Sequence, residues 1–108
     1  MKLVTKLTDW AIVEVADADI GVRSKPLFLW GIVQEDQLGR YETGHYVCTS
    51  LIKSIAPTLM QVVTKSNNTY ELSGSGQRIK VSIKEFEKLI EGYSPREISQ
   101  LSSTTSLN

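Results

Sequence analysis

One cysteine and one histidine, Cys48 and His45, are all this chain offers of two residue types that dominate zinc sites and nucleophilic catalysis. A zinc site built on them would need several carboxylates as well. A Cys–His dyad is disfavoured by spacing, because they lie three positions apart and an odd step on a strand points to opposite faces. Cys48 reads as a small core residue. His45 follows a glycine and reads as a turn residue. Ser50 shares the Cys48 face and has no second histidine to activate it. No catalytic, cofactor-binding or metal-binding residue is assigned.

Charge of one sign is also lacking. Twelve basic side chains balance twelve acidic ones, so net charge supplies no attraction to nucleic acid or to an anionic membrane. Paired cysteines are missing, which fits a reducing compartment better than a secreted domain. The first ten residues, MKLVTKLTDW, contain neither a long apolar core nor a small-residue cleavage site, so no signal peptide is expected. No apolar run approaches the roughly 20 residues of a membrane-spanning helix. A soluble, cytoplasmic protein without membrane contact is the expectation. Its 108 residues suffice for one domain, read over residues 1–101 with a disordered polar tail at 102–108.

What is present is a series of short apolar segments. The stretch Leu27 to Ile55 contains two of them around a polar turn, where Asp36 and Gly39 suit positions i and i+3 of a type I turn. Leu27 to Gln34 is apolar on both faces, as in a strand covered on both sides. Gly31 in its middle signals a bulge or close approach by another backbone. Upstream, Met1 to Thr8 reads as a fraying strand and Trp10 to Val15 as a firm one, with Ala11, Val13 and Val15 on one face. Ile20 to Pro26 reads as a loop. Downstream, Leu59 to Lys65 and Thr69 to Ser73 form a hairpin around Ser66, Asn67 and Asn68. Gly74-Ser75-Gly76 turns into a last strand, Gln77 to Val81. A strand rather than a helix follows those glycines, so they are not read as a phosphate loop.

The periodicity then changes. Ser82 to Glu85 is a capping box, and Ile83, Phe86, Leu89 and Ile90 recur at helical spacing. Gly92 suits the helix stop. Ser94, Pro95 and Glu97 repeat the device for a second helix. The Gly-x-Ser-x-x-Glu-Ile spacing also resembles the start of a DNA-binding helix-turn-helix, but no Arg or Lys follows Arg96 to enter a groove. The fold class expected is α+β: a small antiparallel, strongly bent sheet or SH3-like barrel of five or six strands, then two short helices.

The segments WGIVQEDQLGRYETGHYVCTS and VVTKSNNTYELSGSG resemble a family of small uncharacterised bacterial proteins found in proteobacteria, phage-related regions and integron-type mobile gene cassettes. The matching positions are Trp30, Gly31, Val33, Asp36, Gly39, Arg40, Gly44, Val47, Thr49, Ser50, Thr64, Tyr70, Leu72, Gly74 and Gly76. The resemblance implies a bacterial accessory protein and transfers no activity.

Three functional readings follow. The first is a non-enzymatic module for an unknown protein partner, with Trp30, Asp36, Arg40, His45, Tyr46 and Tyr70 as the binding face. The second is a nucleic-acid-binding module that uses an aromatic and basic strand face, with Tyr41, Lys53, Lys65 and Lys80 nearby. The third is a small enzyme with Asp36, Arg40, His45 and Ser50 at the hairpin mouth. Against all three stands the plainer reading, in which Trp30 and Tyr46 are core and the lysines guard strand edges. A homodimer formed through a free edge is a further expectation.

Overall fold

A computed structural model describes residues 2–17 and 25–106, with side chains as far as Leu101. It contains seven strands followed by two helices: β1 (Thr5–Val15), β2 (Leu27–Asp36), β3 (Tyr46–Cys48), β4 (Ile52–Ala56), β5 (Gln61–Thr64), β6 (Thr69–Leu72), β7 (Gln77–Val81), α1 (Ile83–Glu91) and α2 (Pro95–Ser106). The strands form one sheet in the order β3-β2-β1-β6-β5-β4, with β7 attached to β1. The α+β class stands. The barrel does not: the ladder ends at β3 on one side and β4 on the other, and the sheet stays open. It is also not wholly antiparallel, because β6 and β7 run parallel to β1.

The organising strand is β1 rather than the β2–β3 hairpin. It pairs with β2 from Thr5 to Glu14, interrupted at Asp9 and Trp10. Its other edge is shared, β6 taking Thr5 to Leu7 and β7 taking Ala11 to Val15. Two predicted segments are thus one strand, joined by a bulge between Thr8 and Ala11 where Asp9 adopts φ 50°. An extra residue in a strand reverses which side chains face which way. Leu7 therefore packs on the same side as Trp10 and Ile12, while Ala11, Val13 and Val15 pack on the other.

Each side has its own core. On one, Leu7, Leu29, Val33 and Val47 meet Val62, Tyr70 and Leu72, so β5 and β6 fold over the first strands. On the other, Ala11, Val13, Val15, Trp30 and Val81 lie beneath Leu89 and Ile98 of the helices. Strand β2 is covered on both sides, as its continuous apolar run requires. Gly31 has the predicted close neighbour, but it is a side chain: a Cβ there would lie 2.9 Å from Leu7 Cδ1. Gly76 serves Trp10 in the same way, since a Cβ would fall inside the indole. Trp10 Nε1 also donates to the Gly74 carbonyl (3.1 Å), which fixes the turn against β1.

The turn at Asp36 closes as expected, Gly39 N–H donating to the Asp36 carbonyl at 3.0 Å. Both capping boxes form. Ser82 and Glu85 exchange bonds of 2.8 and 3.1 Å, and Ser94 and Glu97 exchange bonds of 2.8 and 3.2 Å. The second apolar segment of the Leu27–Ile55 stretch is two strands, β3 and β4, because Thr49 to Leu51 leave the ladder. The hairpin strand starts at Gln61, since Pro57 to Leu59 make a 3₁₀ turn that ends with Met60 in the left-handed region. The predicted disordered tail is helical as far as Ser106. Pro95 and Ile98 are the described side chains that α2 buries, and Ile98 contributes about 2 kcal/mol. The predicted loop lies outside the described residues up to position 24. No helix among the described residues is long and apolar enough to cross a membrane.

Candidate functional site

The residues proposed as one binding face occupy two places. Asp36, Arg40 and Tyr70 form a clasp at the β2 turn, while Trp30, His45 and Tyr46 border a cleft on the helix side.

The clasp is built by Asp36. As the last residue of β2 it points its carboxylate back over the turn, with a fully covered side chain (0% exposed). Oδ1 accepts from Thr5 Oγ1 (2.7 Å) and the Leu38 amide (3.2 Å). Oδ2 accepts from the Arg40 and Tyr41 amides at 2.7 and 3.0 Å. Burial by itself would raise the Asp36 pKa, but the bonds from Thr5, Arg40, Leu38 and Tyr41 outweigh it and hold the carboxyl below its ordinary range. Arg40 Nε lies 3.7 Å from Oδ2, and its guanidinium donates to Thr5 Oγ1 at 3.0 Å. Tyr70 sits beneath, 3% exposed. Burial and then the neighbouring Tyr41 push its phenol upward, while Arg40 opposes them. Every polar group at Asp36 is engaged, so this part of the motif holds the turn and offers little to a ligand.

The cleft is built on β3. Trp30 lies opposite Cys48 and Ile32 opposite Tyr46 in the β2–β3 ladder, so these side chains share the helix-facing side. Trp30 is 4% exposed, and its indole N–H is buried without a partner among the described residues. Tyr46 stacks on it, ring centroids 6.5 Å apart and planes 17° from parallel. Tyr46 itself is 38% exposed, and its hydroxyl donates to the Ile90 carbonyl at the end of α1 (2.7 Å). An open cleft of ≈ 510 Å³ runs here, walled by Trp30, Ile32, His45 and Tyr46 on one side and Gly92 and Ser94 on the other. A smaller hollow of ≈ 220 Å³ continues along the outer edge of β3, between Tyr41, Tyr46, Val47, Cys48 and Ile90. Exposed Tyr41, Ile90 and Tyr93 extend the apolar surface. Two cations sit over its rings, Arg40 at 5.0 Å from Tyr41 and Lys88 at 5.3 Å from Tyr93.

The four groups of the enzyme reading fall into three sets of contacts. Asp36 and Arg40 belong to the clasp. His45 is largely exposed, with Nε2 3.9 Å from Glu42. Ser50 shares a hydrogen bond with Ser66 (2.8 Å). Burial pushes the Cys48 thiol up to about 11, which suppresses the thiolate a nucleophile needs. Among the described residues, no group of three or more His, Cys, Asp or Glu is placed to hold a metal ion.

Sequence reasoning missed Thr5, which completes the clasp from 31 residues away, and the contribution of Ile90, Gly92 and Ser94 to the cleft. Their helical spacing and caps were legible. Their docking on β3 carries no local signal.

The cleft thus joins the Trp-Gly strand motif to the corner between the helices. A family model described as "Domain of unknown function (DUF6957)" matches residues 2–88. The chain belongs to this family. The DUF6957 match takes in all seven strands and ends inside α1. The clasp and the β3 wall of the cleft lie within it, whereas Gly92, Ser94 and α2 lie beyond it. No curated protein and no solved structure matches the chain.

Proposed function

We propose that this DUF6957 protein is a non-enzymatic protein-binding module, an accessory protein of a bacterial mobile element that works in the cytoplasm. Its contact surface is the aromatic cleft beside β3. The observation that carries this reading is the exposure of Tyr41, Tyr46 and Ile90 along the two hollows at β3, with exposed Tyr93 between the Gly92 and Ser94 that wall the larger one. Aromatic side chains concentrate at protein interfaces, because they bury a large area at a small cost in rotamer freedom. Asp36 and Arg40 are tied to each other in the clasp, while His45 lies near Glu42 and Ser50 bonds to Ser66, and this dispersal favours binding over the enzyme reading.

The test is site-specific photo-crosslinking in the native host. A photoreactive phenylalanine at Tyr93 is expected to trap a protein that the same group at Leu59, exposed far along the chain, does not trap. Tyr41→Ala is expected to weaken that adduct several-fold. Equal trapping at both positions, or none at Tyr93, rejects the reading.

A second reading is supported by the cations over Tyr41 and Tyr93. Such pairs stack on single-stranded nucleic acid, whose binding weakens steeply as salt rises. With Trp30 and Tyr70 in the cores, Tyr41, Tyr46 and Tyr93 would have to supply the stacking. An oligonucleotide titration at two salt concentrations separates the readings: a partner held by the apolar groove responds weakly to salt. Pairing of β4 with a second copy is the homodimer reading, and sedimentation velocity tests it.

A further inference from the structure

We propose that the outer edge of β7 is a docking site for an extended acidic peptide segment of a partner protein, which adds to the sheet as a further strand. This surface is separate from the groove beside β3, and the inference does not depend on that groove.

Among the described residues, β7 pairs with β1 alone. The Ala16 amide donates to the Val81 carbonyl (2.9 Å). Main-chain groups alternate sides along a strand, so Gln77, Ile79 and Val81 turn theirs toward β1, while Arg78 and Lys80 turn theirs outward. Arg78 and Lys80 thus offer N–H donors and carbonyl acceptors that no described strand takes up. Bulges, prolines and shortness commonly close such an edge. Strand β7 has none of these: its register with β1 is unbroken from Gln77 to Val81, and it contains no proline.

The two sides of the edge differ in chemistry. Ile79 lies opposite Val13 and Val81 opposite Val15, on the helix-facing side. There a cleft of ≈ 330 Å³ opens between Ile79 and Val81 of the strand and Pro95 and Ile98 of α2. Glu85 also borders it, with its carboxylate accepting from the Ser82 amide (2.8 Å). On the reverse side, Arg78 reaches Glu14 only at 3.9 Å, and Lys80 makes no ion pair among the described residues. A strand added here places apolar side chains toward the cleft and carboxylates beside Arg78 and Lys80. Charge selects the occupant. A second copy of β7 would set these cations against their own kind, and like charges on neighbouring strands are destabilising. The edge is therefore closed to self-pairing and open to an acidic strand. In such strand addition the main chain supplies affinity and alternate side chains supply specificity.

The probe is a soluble heptapeptide in which aspartate alternates with valine, titrated into the isotope-labelled full chain and followed by NMR. The amides of Arg78 and Lys80 are expected to shift and to gain protection from exchange, Ile79 and Ile98 to shift less, and β4 to stay unmoved. The same peptide methylated on its main-chain nitrogens is expected to bind at least about tenfold more weakly. Lys80→Glu, a change at an exposed side chain, is expected to weaken the acidic peptide about tenfold and to favour one that alternates lysine with valine. Shifts confined to other strands, binding unaltered by methylation, equal binding of the two peptides to the wild type, or no shift at about 1 mM peptide overturn the inference. So do shifts of Arg78 and Lys80 that follow protein concentration without peptide, which assign the edge to a second copy.

Discussion

Strand β3 at one end of the sheet has three residues, and the end of α1 lies against it, tied by the Tyr46 hydroxyl to the Ile90 carbonyl. Strand β4 at the other end has five residues, three of them exposed in a row: Lys53, Ser54 and Ile55. Free strand edges invite pairing with other chains. The β4 edge is guarded by its own sequence, through Lys53, a register shift between Ile52 and Ser54, and Pro57 just beyond. The β3 edge is guarded by shortness and by tertiary cover. A lysine and a proline on an edge are legible in a sequence, whereas cover by a helix more than 40 residues away is not. The aromatic groove lies at the edge protected by cover, where the chain can carry tyrosines in place of charges.

The largest expected break in this contrast comes at the turn that leads from β2 toward β3. Asp36→Ala removes the acceptor for Thr5 and for three backbone amides, and leaves Arg40 without its carboxylate. Urea unfolding is expected to show a loss of about 3 kcal/mol. The same carboxylate gives a pH signature. Its folded pKa lies below the ordinary 3.8, so its contribution is present above 3.8 and is lost as pH falls from there through the folded value. The stability of Asp36→Ala is expected to fall less steeply over that window than that of the wild type.

Tyr46→Phe is a smaller change. It keeps the ring on Trp30 and removes the bond to Ile90, for an expected loss of about 1 kcal/mol by urea unfolding. Hydrogen exchange is expected to rise in β3 and not in β4. Smallest in stability is Lys53→Val, expected within about 0.5 kcal/mol of wild type. Its readout is association: sedimentation velocity is expected to show more dimer, because the charge guarding β4 is gone. An equal rise in association for Tyr46→Phe would erase the distinction between the two edges.

Much of the local architecture was legible. Capping boxes at Ser82 and Ser94 placed both helices, since the side chains that satisfy a helix start lie within three residues of it. Asp36 and Gly39 placed the turn. The alternation Ala11, Val13, Val15 placed a buried face. Misreadings arose where a distant contact decided the outcome. The Asp9 bulge joined two segments into β1, and the parallel pairing of β6 and β7 with it left no local mark. Trp30 and Tyr70 looked like candidate binding aromatics, yet they are core, because helices cover one side of the sheet and β5 with β6 fold across the other.

The sequence by itself determined an α+β chain of short strands and two capped helices, and it pointed to a motif centred on Trp30, Asp36 and Arg40. Caps, turns and alternation depend on neighbours a few residues apart, so they can be read in order. The tertiary structure alone decided that the sheet stays open, that Asp36 and Arg40 close a clasp with Thr5 and Tyr70, and that Tyr46 meets Ile90 and Gly92 in a cleft. Those outcomes depend on which surfaces bury one another, and burial is a property of the assembled chain.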